Sequence, residues 1–392
     1  MTAPAPPIDL LSGAFFLDGA REAYRWLRAN APVHFDETSG LWGLATYDTV
    51  LTAERDARTF SSAGGSRPEA GPMPWMIDMD GEAHTKRRKL VSRGFTPARV
   101  RATEPHLRDI CDQLIDRVCE RGECDFVADL AAPLPMIVIG DMLGVPPADR
   151  DALLEMTHGM LGSLSGDPDA IAAAADAFGA YDAYARATIV RRRDDPTDDL
   201  FGVLVHAVVD GDRLSDDEVV MESLLLLIGG DETTRHVTSG GMEQLVLHPD
   251  QHERVAADLD LLRGAVEEML RWVSPIKSMA RTTTTDVVLA GATVPAGARV
   301  VLLYESANFD EAVFDEADTF DVTRDPNDHL AFGFGHHFCL GASLARLEIA
   351  AMTERVLARL PGFALATDES LPRSITGIDR MPVRFTPSPR SA

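Results

Sequence analysis

The hydrophobic positions along this chain follow two spacings, and the helical one dominates. Short stretches of alternating or β-branched residues lie at 33–45, 287–294 and 300–304, and such stretches are typical of strands. Most of the remaining chain has helical periodicity, interrupted by proline and glycine. There is no internal repeat, and the polar stretch 191–199 is short enough to be an exposed turn between helices. We therefore expect a mainly α fold with small β-sheets, formed as a single domain over residues 1–392.

The most informative predicted element is a long helix that begins after Ser215. In the sequence S-D-D-E, Ser215 can cap the helix and Glu218 lies three residues further on, which is the pattern of a capping box. The helical pattern continues until Pro249, which ends it. At about 1.5 Å per residue, the helix would be on the order of 50 Å long and would cross the whole domain.

The centre of this helix breaks its own hydrophobic pattern. The apolar residues 224–228 are followed by Gly229 and Gly230 and then by a polar stretch that contains Glu232 and Thr233. Glycine destabilises a helix interior, so both glycines need a reason. One reason is a tight helix crossing, with Thr233 bonding back to its own turn. The other is a groove for a small ligand, beside which Glu232 and Thr233 handle protons.

Charge and composition narrow the range of partners. Of the 392 residues, 45% are apolar and 25% are charged, which is enough material for a large core. The 62 acidic and 37 basic residues give a formal net charge of −25. Nucleic acids and anionic membrane surfaces are themselves polyanions, so the balance argues against both as partners.

The sequence also argues against export and membrane insertion. The first residues, MTAPAPPID, lack the charged and apolar regions of a secretory signal. The longest apolar runs are far shorter than the roughly 20 residues that span a bilayer. We therefore expect a cytoplasmic protein with no membrane anchor.

One of the four cysteines differs from the other three in its surroundings. Cys111, Cys119 and Cys124 have neither Cys-x-x-Cys spacing nor a nearby histidine pair, so we interpret them as packed or surface thiols. Cys339 lies in a glycine-rich loop, F-G-F-G-H-H-F-C-L-G, ahead of a strong amphipathic helix at 340–360. A helix N-terminus and loop amides should lower the pKa of the Cys339 thiol and favour the thiolate. A single soft ligand suits haem better than zinc, which needs three or four protein ligands.

The cysteine loop resembles the haem-binding loop of cytochromes P450. The matching pattern is Phe332-x-x-Gly335-x-x-x-Cys339-x-Gly341. Three further residues match the structural ion network of that family: Glu268 and Arg271 in EEMLRW, and Arg324 in FDVTR. The resemblance covers nearly the whole chain and implies the P450 fold, with haem b held between the long helix and the cysteine loop.

The resemblance also implies roles for individual residues. Cys339 would be the iron ligand, within a cofactor-binding loop that includes Phe332 and Gly335. The matching partners of the haem propionates are His84, Arg88, Arg281 and His337. Residues 229–233 correspond to the oxygen-binding kink, with Glu232 and Thr233 at its acid and alcohol positions. Asp231 adds a second acid, which leaves open which carboxylate controls proton delivery.

Three longer stretches narrow the resemblance within the family. LIGGDETTRHVTSGG, SPIKSMART and LLYESANFDEAVF are similar to the actinobacterial P450s that oxidise the side chain of cholesterol and cholest-4-en-3-one. That resemblance implies hydroxylation of a terminal methyl group (C26/C27), with O₂ and with electrons from an acidic ferredoxin and its reductase. We predict as substrate contacts Met73, Met76, Leu226, Gly230, Ile276 and Met279, together with the C-terminal turn near Ile375 and Ile378.

Three alternatives stay open at this stage. A methyl-branched fatty acid offers a similar branched tip without the rings. A haem-thiolate sensor would need the cysteine but not the Glu232–Thr233 pair, and a peroxide-driven oxygenase would have an arginine-proline pair at that position. For the ferredoxin, the expected docking cations are Lys86, Arg87, Lys89, Arg93 and Arg346.

Overall fold

The long helix predicted from Ser215 is present, and much of the remaining helical structure packs around it. The computed structural model describes residues 6–17, 20–161, 168–208 and 211–391. The helix runs over Asp216–Leu247, with Ser215 as its cap and a complete capping box to Glu218. Its length of 32 residues corresponds to about 48 Å. Both ends of the prediction are therefore confirmed.

Helices make up most of the described chain, which confirms the mainly α fold class. In chain order they are α1 Gly13–Leu17, α2 Ala20–Asn30, α3 Tyr47–Arg55, α4 Gly81–Val91, α5 Pro97–Asp116, α6 Pro133–Leu143, α7 Arg150–Leu161, α8 Pro168–Asp194, α9 Leu200–His206, α10 Asp216–Leu247, α11 Pro249–Ala257, α12 Leu262–Val273, α13 Tyr304–Asn308 and α14 Ala342–Arg359. The predicted helix after Cys339 is α14, and the predicted long helix is α10. Around α10 pack α6, α8, α9, α12 and α14.

The strands are short and form two sheets and a hairpin. They are β1 Val33–Asp36, β2 Leu41–Leu44, β3 Phe60–Ser61, β4 Glu123–Asp125, β5 Ser278–Thr283, β6 Val287–Leu289, β7 Ala292–Val294, β8 Arg299–Leu303, β9 Ala364–Leu365 and β10 Pro382–Arg384. The larger sheet has the order β1-β2-β8-β5-β3, with only β2 and β8 parallel. The smaller sheet has the order β4-β10-β9, and β6 pairs with β7. The three predicted strand regions are thus confirmed.

The two halves of α10 belong to different hydrophobic clusters. Its N-terminal half contributes residues such as Leu224 and Leu227 to a cluster shared with α6, α8 and α9. Its C-terminal half contributes Val237, Met242 and Leu245 to a cluster shared with α5, α12 and α14. The polar centre of α10 therefore lies where these two apolar regions meet.

One predicted turn is shorter than expected. The stretch 191–199 was expected to be an exposed turn, but α8 extends into it and ends at Asp194. The basic side chains are satisfied by the next elements, since Arg192 pairs with Asp199 at 2.6 Å and Arg193 with Asp216. Because those charges are paired, α8 can continue past the point where the polar composition predicted that the helix ends. Within the described ranges, no helix is long and apolar enough to cross a bilayer.

Candidate active site

The cysteine loop is a tightly closed turn that rests on the end of α3. The Cys339 backbone N–H donates to the Phe332 carbonyl at 2.9 Å, and the Phe338 N–H donates to Gly335 at 3.2 Å. Gly335 has a φ of +67°, and a Cβ there would lie 2.7 Å from the backbone oxygen of Glu54. Only glycine fits this position, because both the backbone conformation and the contact exclude a side chain. The loop geometry therefore follows directly from its glycine spacing.

The electrostatics of the Cys339 thiol differ from the sequence prediction. Burial raises the pKa of this thiol, although the Gly341 amide and the charge of Arg88 oppose the rise. The predicted lowering was therefore wrong in its net direction, because enclosure in the loop outweighs the helix start. A thiolate here needs a cation at the sulfur, as a bound metal ion would supply.

Three histidine rings converge beside the cysteine loop. The His84 ring on α4 lies 4.1 Å from that of His336 and 4.3 Å from that of His337, measured between centroids. His337 Nε2 lies 3.2 Å from the Ser62 hydroxyl. Neither ring nitrogen of the buried His84 has a hydrogen-bond partner in the described chain. Buried polar atoms without partners normally indicate a missing ligand, so this cluster fits a bound polar group.

The charge around the histidines favours an anionic ligand. Burial lowers the pKa of His84 to about 4, assisted by the charges of His336 and Arg88. Burial likewise lowers the pKa of His337 to about 2, assisted first by the charge of Arg281. Arg88 also donates to the Phe338 carbonyl, so α4 is attached to the cysteine loop. Two arginines beside uncharged imidazoles form an electropositive cluster suited to carboxylates such as haem propionates.

Arg281 lies at this site but already has a carboxylate partner. It is on β5, is buried, and donates to Glu54 at 3.2 Å. The Tyr304 hydroxyl donates to the same Glu54 oxygen. A propionate at Arg281 would therefore share the guanidinium with Glu54, which the sequence analysis did not foresee.

The glycines in the centre of α10 have different surroundings. A Cβ on Gly230 would lie 2.8 Å from Ile139 of α6, so this glycine permits a close helix crossing. A Cβ on Gly229 would meet no described atom within 4 Å. The Thr233 hydroxyl donates to the Gly229 carbonyl at 3.2 Å. The Ile139 contact fits the crossing explanation for Gly230, and the open space at Gly229 is compatible with the groove explanation, while contact of either glycine with a ligand stays a prediction.

The two acids of the α10 centre also face different partners. Glu232 accepts from Arg235 at 2.8 Å, and its Oε2 lies 3.3 Å from His236 Nε2. Asp231 is buried and faces Glu348 of α14, whose pKa is raised well above its ordinary range by burial and then by Asp231. Glu232 is partly exposed and lies beside His236, which can exchange protons, and this favours it over the buried Asp231 for proton delivery.

A buried ion network lies between α12 and the segment before the cysteine loop. Arg271 donates to both carboxylate oxygens of Glu268, at 2.7 and 2.8 Å. Arg324 donates to Glu268 at 3.2 Å, and Arg271 also donates to backbone carbonyls, including that of Asn308 at 2.9 Å. The fully buried charges are thus paired and hydrogen-bonded, which burial requires.

The predicted substrate contacts fall into three environments. Met76 and Leu226 are buried in one hydrophobic cluster. Ile276 and Met279 are partly buried against the core of the larger sheet. Met73 is 40% exposed.

Four residues at or next to the site were missed by the sequence analysis. Glu222 of α10 accepts the Met76 N–H at 2.8 Å and a bond from Arg87 at 2.9 Å. Glu54, His336 and His236 also make contacts described above. His336 adjoins His337, and His236 lies four residues after Glu232, so spacing could have found these two. Glu54 and Glu222 carry no such signal, because their partners are distant in sequence.

The residues at Cys339 suit a metal that brings its own ligands. Across the described part of the chain, no group of three or more His, Cys, Asp or Glu side chains could hold a metal ion. A single thiol beside a cluster of two arginines and three histidines fits an iron porphyrin with carboxylate groups.

The chain is similar to known proteins over nearly its whole length. The cytochrome P450 family model matches residues 182–374. The steroid C26-monooxygenase of Mycolicibacterium smegmatis is 56% identical over 390 residues, covering 98% of this chain and 97% of the relative. The methyl-branched lipid omega-hydroxylase of Mycobacterium bovis is 39% identical over 413 residues, covering 98% and 96%. A cytochrome P450 of Mycobacterium marinum, solved with pseudoionone, has a TM-score of 0.89 at 32% identity, covering 98% of this chain and 99% of that one.

Fold, cysteine loop and relatives agree on a haem-thiolate protein. The chain belongs to the cytochrome P450 family. The sequence-based expectation of this family is confirmed.

Proposed function

We propose that the protein is a monooxygenase that hydroxylates the terminal methyl of a steroid side chain, at C26/C27 of cholesterol or cholest-4-en-3-one. The observation that carries this proposal is the 56% identity to steroid C26-monooxygenases, which extends over 98% of the chain. The aligned region spans 98% of the chain, so it contains the α10 centre, β5 and the cysteine loop.

The proposed cofactor is haem b, and Cys339 would hold its iron. The bound haem supplies oxygen activation and the transfer of an oxygen atom to carbon. The propionate partners in this proposal are His84, Arg88 and His337, with Arg281 shared between a propionate and Glu54. Phe332 closes the loop through its carbonyl, and Gly335 allows the loop to contact α3.

The proposed proton path uses the polar centre of α10. The Thr233 hydroxyl donates to the Gly229 carbonyl beside the open space at Gly229, and with haem bound it would hold a proton at Oγ1 next to the reacting atoms. Glu232 supplies protons to that hydroxyl as a general acid. Asp231 lies deeper, against Glu348, and stays outside this path.

The proposed electron donor is an acidic ferredoxin, and the docking surface differs from the sequence expectation. Arg87 is buried against Glu218 and Glu222, so it is not available for docking. Lys86 pairs with Asp212 and Arg346 with Glu267. Lys89 and Arg93 remain exposed on and just after α4, which is attached to the cysteine loop through Arg88. A cytoplasmic location remains a prediction.

A reconstituted assay tests the proposal. The holoenzyme, a ferredoxin, its reductase and NADPH are incubated under ¹⁸O₂ with cholest-4-en-3-one, and the product is located by mass spectrometry. We expect a single ¹⁸O at the side-chain terminus. Label on the ring system, or turnover of branched fatty acids alone, contradicts the proposal, and heat-inactivated enzyme is the control.

A second candidate is terminal hydroxylation of a methyl-branched fatty acid. The 39% identical methyl-branched lipid omega-hydroxylase favours it. Both substrates present a branched apolar tip, so the two candidates differ in what the outer pocket binds. Spectral titration with cholest-4-en-3-one and a methyl-branched acid of similar length separates them, because the correct substrate shifts the Soret band at the lower concentration.

A further inference from the structure

His236 is a buried titratable residue that the proposed reaction has not used. It lies on α10, one turn after Glu232, and is 1% exposed. Its Nε2 lies 3.3 Å from Glu232 Oε2 and 3.2 Å from Arg235 Nη2. Arg235 also donates to Glu232 at 2.8 Å, so the three side chains form a closed triangle. The orientation of the Glu232 carboxylate is therefore set by two neighbours on its own helix.

The opposite edge of the His236 ring faces the C-terminal turn at 374–377. A side chain at Gly377 would collide with the Nδ1 edge of the ring, so only glycine fits there. The turn is closed by backbone bonds between Ser374 and Gly377, at 2.9 and 3.3 Å. Among the described residues, Nδ1 has no hydrogen-bond partner. A buried ring nitrogen aimed at a turn of small residues is suited to a water molecule.

Burial keeps the His236 ring neutral in neutral buffer. Burial lowers the pKa of His236, while the hydrogen bond of Glu232 opposes that change and the charge of Arg235 adds to it. Asp379, beyond the turn, also opposes it. The turn itself, Ser-Ile-Thr-Gly, contains no titratable side chain. A neutral imidazole has one N–H donor and one acceptor nitrogen, so it can take up a proton on one edge while releasing one from the other.

We propose that His236 is a positioning residue that orients Glu232 and passes protons to it from the turn at 374–377. In each passage, Nδ1 takes a proton from a hydronium ion that reaches the turn from solvent, and water is left behind. The ring then releases the Nε2 proton to the ionised Glu232 carboxylate, while Arg235 donates to Glu232 rather than to Nε2. Movement of the remaining proton from Nδ1 to Nε2 restores the starting tautomer, so the ring gains and loses one proton. The inference rests on the proposed role of Glu232. It connects a turn that contains the predicted pocket residue Ile375 to the acid that supplies protons.

The test compares His236→Gln with wild type. Glutamine places an amide N–H near the former Nε2 and retains the bond to Glu232, but it cannot pass a proton. Product per NADPH and the pH profile of turnover are measured. We expect a coupling loss of roughly threefold to tenfold, smaller than a direct general acid–base effect because His236 acts through Glu232, and a changed pH profile. His252→Asn, on α11, is the matched histidine control and should behave as wild type.

Two further measurements keep the outcome decisive. Because Glu232 and His236 act in series, the double variant Glu232→Gln/His236→Gln should lose no more coupling than Glu232→Gln alone. Independent losses that multiply overturn the inference. The ¹⁵N shifts of the His236 ring should report a neutral imidazole at pH 7 to 8. A permanently doubly protonated ring also overturns it, because it has no acceptor nitrogen.

Failure of this inference can be told apart from failure of the proposed function. If Thr233 and Glu232 variants uncouple the enzyme while His236→Gln matches wild type, only the His236 role is wrong. If Thr233 and Glu232 variants also remain fully coupled, the proposed proton path itself is wrong. If His236→Gln does not retain haem, His236→Asn is measured in its place and judged by the same criteria.

Discussion

At the residue scale, Cys339 combines a predictable position with an unpredictable pKa. The glycine spacing of the loop and the helix behind it are visible in the sequence, and both are found in the structure. The direction of the pKa shift depends on how far the loop encloses the sulfur, which no local pattern specifies. The raised pKa of the Cys339 thiol implies that the protein without haem holds a thiol rather than a thiolate.

The first prediction concerns Cys339→His. Loss of the thiolate should abolish the red-shifted Soret band of the reduced carbon monoxide complex, because that band reports a sulfur donor to the iron. Difference spectra of the reduced protein provide the measurement. Cys124→Ser, which changes a thiol in the small β4-β10-β9 sheet, should leave the band unchanged. Persistence of the band in Cys339→His would exclude this cysteine as the ligand.

The second prediction concerns Thr233→Val, which keeps the shape of the side chain but removes the hydroxyl. Substrate should still shift the Soret band, while product per NADPH falls roughly tenfold or more because proton delivery is lost. The missing electrons should be recovered as hydrogen peroxide or water. Thr233→Ser, which retains a hydroxyl, is the matched control. Equal coupling in the valine and serine variants would contradict the role.

At the element scale, the adjacent glycines of α10 provide a third prediction. Gly230→Ala forces a methyl group against Ile139, and such overpacking should lower the free energy of unfolding by about 1–3 kcal/mol. Gly229→Ala meets open space and should be neutral or stabilising by up to about 1 kcal/mol, through helix propensity. Denaturant unfolding measures both.

Gly229→Ala and Gly230→Ala should rank in the opposite order when their effects on substrate binding are compared. Gly229→Ala narrows the groove and should weaken the substrate-induced Soret shift more than Gly230→Ala does. If Gly230→Ala instead weakens substrate binding and keeps its stability, then Gly230 lies at the groove and Gly229 at the helix crossing.

The fourth prediction concerns Glu222 of α10, which accepts a hydrogen bond from the Met76 N–H in the segment 73–79. Burial raises the pKa of Glu222 to about 7 from an ordinary value of 4.5, although Arg87 opposes the rise. The protonated form is thus favoured in the folded state. Its contribution to stability is complete below pH 4.5 and is lost as the pH rises through 7. Between these values, wild type should lose stability relative to Glu222→Gln by on the order of 1–3 kcal/mol.

Unfolding curves at several pH values measure this difference. Glu218→Gln is the control, because Glu218 pairs with the same Arg87 but its side chain is 37% exposed. It should keep the loss of stability with rising pH, but with a lower midpoint, because the charge of Glu218 contributes to the raised pKa of Glu222. A Glu222→Gln protein whose stability follows the wild-type pH dependence would show that this carboxyl does not titrate in the expected range.

Elements were predictable where their signals are local, and less so where they depend on distant partners. The bounds of α10 follow from a capping box and a proline, both within a few residues of its ends. The end of α8 was misplaced, because its basic residues pair with Asp199 and Asp216 in later elements. Glu222 escaped notice for the same reason, since its partner Met76 is 146 residues away in sequence. The site was predictable as a set of motifs, but the contacts that hold its parts together were not.

At the scale of the whole molecule, a strongly acidic protein presents a small basic area near its cysteine loop. The formal net charge is −25, yet the basic side chains of Lys89, on α4, and Arg93, just after α4, are exposed. An acidic ferredoxin would be repelled by most of the surface and guided to this area.

The fifth prediction is that Lys89→Glu/Arg93→Glu slows reduction by the ferredoxin. The rate should fall with added salt in wild type, and the double variant should be slower and less sensitive to salt. Stopped-flow reduction under carbon monoxide provides the measurement. Arg380→Glu/Arg384→Glu, a double reversal of exposed residues just before and in β10, is the charge-matched control and should keep the wild-type rate. A rate independent of both salt and the α4 reversals would exclude this docking area.

The division of α10 between two hydrophobic clusters has a consequence for local unfolding. Each half of the helix is held by its own set of neighbours, and the segment between them is the least apolar part. Regions with few buried apolar contacts open at lower free energy than the packed units that flank them. The backbone around Gly229 can therefore fluctuate without disrupting either half of α10. Hydrogen exchange should then show two segments with protected amides, separated by a less protected segment around Gly229. Substitutions in this central segment can then adapt the protein to new ligands, with little effect on the stability of the two halves of α10.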